Sequence, residues 1–157
     1  MTAINARVAA ACHVWNAAIR ETIVILPNDT TVAVVDGRGL RLFRNRAAEP
    51  HVDLDVLDVP DIRSAHRGSG VRHRSVPANP DASRLDEDDF AAAVAEWISA
   101  RVLDGTIARL LIVADPRTLG EMRRNLHPAA TAALVGELAK DLSNHTREAI
   151  EAALIRA

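Results

Sequence analysis

The chain has 157 residues, the size of one ordinary domain, and its 48% apolar and 25% charged side chains are the balance of a folded globular protein. That balance excludes a disordered, collagen-like or disulfide-stapled chain. Nineteen basic against 21 acidic side chains leave a net charge of -2, so no overall field draws the chain to nucleic acid or membrane, and any such attraction must be local.

Ile4, Val8, Cys12, Trp15, Ile19 and Ile23 recur at steps of three and four, which predicts an amphipathic helix ahead of Pro27 and the loop at Asn28-Asp29. Arg7 and Arg20 are too few for a lipid-surface helix, so this extension, residues 1–27, is expected to cover an apolar surface within the chain or in a homodimer. Only Val8 to Ala11 separate Arg7 from Cys12, short of the apolar core of about 7 to 15 residues in a secretory signal. No run approaches the roughly 18 apolar residues of a spanning helix, and membrane insertion is not expected. A cytoplasmic protein with its single cysteine reduced is the expectation.

The main domain is expected over residues 28–157. Thr31 to Val35 is β-branched and apolar, a buried strand, and Leu40 to Phe43 pairs with it across the turn Asp36-Gly37-Arg38-Gly39. His51 to Val59 alternates, with Val52, Leu54 and Val56 on one face and Asp53 and Asp55 on a wet one. The pattern then stops, and a long, mobile basic loop is expected over 60–80. Between Ile62 and Asn79 lie four arginines and two histidines with no acid, which makes Arg63, His66, Arg67, Arg72, His73 and Arg74 the candidate polyanion-binding residues.

Ser83 with Asp86 has the spacing of a capping box, so the next helix is expected to start there, with Phe90, Val94, Trp97 and Ile98 as its core stripe and Gly105 closing it. Arg109 to Ala114 reads as a central strand buried on both faces, which requires helices on each side. Asp115-Pro116 opens a helix through Leu126. Leu134 to Ala139 reads as a strand or as the end of a helix, and Thr146 caps a last helix with Ala149, Ile150, Ala153 and Leu154 inward. The class is α/β with a mixed sheet.

Val32-Ala33-Val34-Val35-Asp36-Gly37 with Arg41-Leu42-Phe43, then Pro116-Arg117 and Leu119-Gly120 after the buried strand, then Lys140-Asp141-Leu142 before the last helix, resemble the bacterial family named for attachment to host cells. That family is similar to the middle domain of archaeal and eukaryotic peptide-chain release factors and of pelota-type rescue factors. The resemblance runs from about Thr31 to the end and rests on the order and spacing of short motifs. It implies a ribonuclease H-like sheet of order 3-2-1-4-5 flanked by helices, takes Leu134 to Ala139 as the fifth strand, and makes Asp36, Gly37, Arg117, Gly120, Lys140 and Asp141 family motif positions. It also implies a basic, irregular middle segment, which the arginines from Arg63 to Arg74 match; the family name describes a phenotype and supplies no mechanism, and the expectation is a non-enzymatic adaptor whose partner is RNA or the ribosome.

Ribonuclease H-like enzymes hold metal ions on carboxylates at neighbouring strand ends, so Asp36, Glu87 and Asp115 form the alternative, a metal-dependent nuclease site. Against it, Asp36 suits a turn, and Asp115 and Glu87 suit helix starts. The six histidines and one cysteine have no metal-ligand spacing, no glycine-rich nucleotide loop follows the first strand, and no cofactor is expected. Arg117, beside a helix start, is a candidate phosphate contact unless it pairs with Asp115 or Glu121. Lys140-Asp141 reads as an ion pair or cap.

Overall fold

The computed structural model describes residues 25–62 and 80–156. The expected amino-terminal helix and the basic stretch from Arg63 to Arg74 lie outside the described residues. Five strands, β1 (Thr31–Val35), β2 (Leu40–Asn45), β3 (Leu54–Leu57), β4 (Leu110–Ala114) and β5 (Leu134–Ala139), form one mixed sheet in the order β3-β2-β1-β4-β5. The helices are α1 (Pro80–Leu103), α2 (Pro116–Asn125), α3 (Pro128–Ala133) and α4 (Arg147–Ile155). β1 pairs antiparallel with β2 and parallel with β4, and β4 pairs parallel with β5. The α/β class and the strand order match the expectation.

Alternation along β1 divides the interior into two layers. Ala33 and Val35, with Leu110, Ile112 and Ala114, pack against Phe90, Val94 and Ile98 of α1, Leu119 and Met122 of α2, and Ala130 of α3. Val32 and Val34, with Leu111, Val113, Phe43 and Leu54, pack against Ile150 and Leu154 of α4. Leu26 belongs to this second layer and is 3% exposed, so the stretch ahead of β1 is anchored in the core before the strand begins.

Three boundaries differ from the sequence reading. Helix α1 is described from Pro80, which places Ser83 inside the helix instead of at its start. β3 is four residues long instead of nine, because β2 is its only neighbour among the described residues and their pairing runs only from Asn45↔Leu54 to Leu42↔Leu57. β2 continues past Phe43 to Asn45, where a polar residue is fully buried. Asn45 Nδ2 donates to the carbonyls of Leu26 (3.0 Å), Pro27 (3.2 Å) and Ala47 (3.3 Å), and its Oδ1 accepts from the N–H groups of Ala47 (3.2 Å) and Asp53 (3.1 Å). One amide thus joins the chain entering β1 to the loop between β2 and β3.

Removing that amide strands buried backbone groups, which costs about 1 to 3 kcal/mol for a group left without a partner. Asn45→Ala is expected to lower the free energy of unfolding in urea by about 2 to 3 kcal/mol. A loss within about 0.5 kcal/mol, the range of ordinary surface changes, would show that water replaces it.

Candidate functional site

The parallel strands β1, β4 and β5 end in register, Val35 beside Ala114 and Ala114 beside Ala139. Asp36, Asp115 and Lys140 are the next residues, so the motif positions separated in sequence share the carboxyl edge of one sheet. From β1 the chain turns outward to β2, whereas β4 is followed on its other side by β5. The edge between β1 and β4 is therefore where the direction of winding reverses, the place where open α/β sheets take ligands.

Each carboxylate there is engaged by the protein itself. Asp36 Oδ1 accepts from the N–H of Arg38 (2.7 Å) and of Gly39, and the Asp36 N–H donates to the Gly39 carbonyl at 3.0 Å, which closes the hairpin turn. Asp115 Oδ1 accepts from the N–H of Arg117 (3.0 Å) and Thr118 (3.1 Å), capping α2 with Pro116 at its first position. Glu87 reaches the same edge from α1 and lies over Gly37: a Cβ on that glycine would stand 2.5 Å from Glu87 Cγ and 2.9 Å from its Cδ. Gly37 thus allows α1 to approach the turn. Among the described residues, no group of three or more His, Cys, Asp and Glu is arranged to hold a metal ion.

Arg117 pairs with neither Asp115 nor Glu121. Its Nη2 donates to both carboxylate oxygens of Asp88 in α1, at 3.0 and 2.9 Å, and lies 3.4 Å from the Arg84 carbonyl. The first turn of α2 points the guanidinium across to α1, while Glu121 is taken by Arg124 at 2.9 Å. The Asp115 carboxylate is committed to the cap. Arg117 is therefore an interhelical tie, half exposed, and a phosphate reaching it would compete with Asp88. This partner was hidden from sequence reasoning because Asp88 and Arg117 are 29 residues apart; the run of acids from Asp86 to Asp89 was the only signal.

Lys140 is exposed and Asp141 turns to Ser143, whose Oγ donates at 2.7 Å and whose N–H donates at 3.2 Å, so Asp141 acts as a turn acceptor. These hydrogen bonds, with a smaller contribution from His145, hold the Asp141 carboxyl below the usual carboxylate range. Gly120 lies inside α2 with nothing within 4 Å of where a Cβ would stand. The structure thus gathers Asp36, Gly37, Glu87, Asp115, Arg117, Lys140 and Asp141 at one edge. The candidate polyanion residues Arg63, His66, Arg67, Arg72, His73 and Arg74 lie outside the described residues.

The family model of bacterial archaeo-eukaryotic release factor family 12 matches residues 29–154. No curated protein matches the chain. No helix among the described residues is long and apolar enough to cross a membrane.

The Gly37 contact makes a quantitative cycle. Gly37→Ala is expected to destabilise by about 1 to 3 kcal/mol through overpacking, and Glu87→Ala in the same chain to recover most of that loss, measured by urea denaturation of both single variants and the pair. Strictly additive effects would mean that the two residues do not meet. Gly120→Ala, with open space and a helical backbone, is expected to raise stability by about 0.5 to 1 kcal/mol. A loss of stability would reveal a contact that the helix does not display.

Proposed function

The chain belongs to bacterial archaeo-eukaryotic release factor family 12, and from that premise we propose that it is a release-factor-like adaptor that associates with RNA or the ribosome and catalyses no reaction of its own. The family match over residues 29–154 is the observation that carries this reading. The non-enzymatic half is supported by Asp36 and Asp115, whose Oδ1 atoms each accept two backbone N–H groups. The polyanion contact is assigned to Arg63, His66, Arg67, Arg72, His73 and Arg74, because four arginines without an intervening acid offer charge-assisted forks to phosphate. Glycines within the stretch let backbone approach as well. Arg117 is a secondary contact, since Asp88 already neutralises it. A cytoplasmic location follows from such a partner, and attachment to host cells would be a phenotype downstream of it.

The reading is tested by sedimenting cell extract on a gradient at low and high salt. Wild-type protein is expected to travel with ribosomes or RNA at low salt, and the variant with Arg63, Arg67, Arg72 and Arg74 changed to serine to stay at the top. For purified protein and single-stranded RNA, four phosphate contacts predict a slope of log affinity against log salt of about -3. The four aromatic side chains of the whole chain predict little base preference. Wild-type protein that remains at the top at low salt sinks the adaptor.

The register that sets Asp36 beside Asp115 favours one alternative, the metal-dependent nuclease with Glu87 as third carboxylate. Labelled RNA with manganese or magnesium separates the two readings. Asparagine keeps the turn and cap acceptor oxygens, so cleavage by wild type that is lost in Asp36→Asn and Asp115→Asn would replace the adaptor with the nuclease.

A further inference from the structure

The two faces of the sheet are unequally covered. One carries α1, α2 and α3, whereas the only described helix on the other is α4, nine residues long. Five strands span about 24 Å at roughly 4.8 Å each, and one helix with its side chains covers about 10 to 12 Å. α4 is held toward β3: Glu151 accepts from the Leu54 N–H at 2.8 Å, and Arg147 reaches the Leu54 carbonyl at 3.4 Å. From β2, Arg41 donates to the carbonyls of Ser143 (3.1 Å) and His145 (2.7 Å) just ahead of α4. The strip left thin is therefore over β5, where Val135 and Leu138 pack on this layer and are only part buried.

The chain enters on this same face. Leu26 is buried among the side chains under α4, and Ile25 beside it is 62% exposed. Ile23 is three residues from Leu26, within about 10 Å even if fully extended, so the apolar stripe of residues 4–23 begins at this layer. As a helix that stripe would be about 30 Å long and one helix wide, enough for the strip beside α4.

We propose that residues 4–23 are the second cover of this face, lying beside α4 over β5 with Ile4, Val8, Trp15 and Ile19 turned toward Val135 and Leu138 of the same chain. The tether favours this over a second copy, because a segment joined through Leu26 meets the strip at a millimolar effective concentration. The inference is independent of the partner proposed above.

Cys12, the only cysteine, sits within the stripe and reports the contact through its rate of reaction with a maleimide. In the intact protein it is expected to react at least an order of magnitude more slowly than in a peptide of residues 1–24, at a rate unchanged by protein concentration. Ile19→Asp, outside the described fold, should bring the rate to that of the peptide. Leu138→Asp should do the same while the thermal transition persists, and Val135→Ser replaces it should that variant not fold. Peptide-like reactivity in the wild type overturns the proposal, as does protection that survives Ile19→Asp. Protection that disappears on dilution overturns it in favour of a second copy as the occupant.

Discussion

The parallel pairing of β1 with β4 is the constraint on which the rest of the molecule depends. All ten residues, Thr31–Val35 and Leu110–Ala114, are buried, so their backbone groups have no access to water and must find partners in the sheet. β2 and β5 supply those partners on the outer sides, and the helices cover the two faces. Even the first N–H of β1, at Thr31, is taken by the Arg109 carbonyl at 2.9 Å. A double-faced buried pair of this kind favours apolar side chains, and nine of the ten are apolar, the exception being Thr31 at the start of β1, which is why the two strands read as nearly continuous runs.

That constraint delivers polar residues to one edge. Each central strand must stop where it leaves the core, and each stops at an aspartate that satisfies the exposed N–H groups of the next segment, a hairpin turn after β1 and a helix after β4. The carboxylates that would make a metal site in a ribonuclease H-like enzyme thus have turn and cap roles in this fold. Glu87 adds a packing role, since it rests where Gly37 has no side chain.

Charge is segregated more than a net of -2 suggests. The second and third turns of α1 carry Asp86, Glu87, Asp88 and Asp89, while the residues ahead of the helix in sequence hold the arginine cluster. Arg117 from α2 already occupies Asp88 and thereby removes one counter-ion that those arginines could otherwise take.

Much of this was legible from local pattern. The buried runs of β1 and β4, the Asp115-Pro116 helix start, the Thr146 cap on the Ala149 N–H and the Gly105 stop, which has a φ of 84°, each depend on residues a few positions apart. Periodicity and turn chemistry carry such information without reference to the fold. The length of β3, the burial of Asn45, the approach of Glu87 to Gly37 and the choice of Asp88 by Arg117 were not legible, and all four depend on how separate elements and loops pack against one another. Which acid meets an arginine, or whether an amide at a strand end is buried, depends on where other elements pack. Sequence by itself determined most of the elements, the inward faces of β1, β4 and the helices, and, through the order of its motifs, the release-factor-like relation; only the tertiary structure decided the face of β3, where Val56 is 64% exposed, and which side chains meet at the edge, because long-range distances are set by the sheet register and helix packing together.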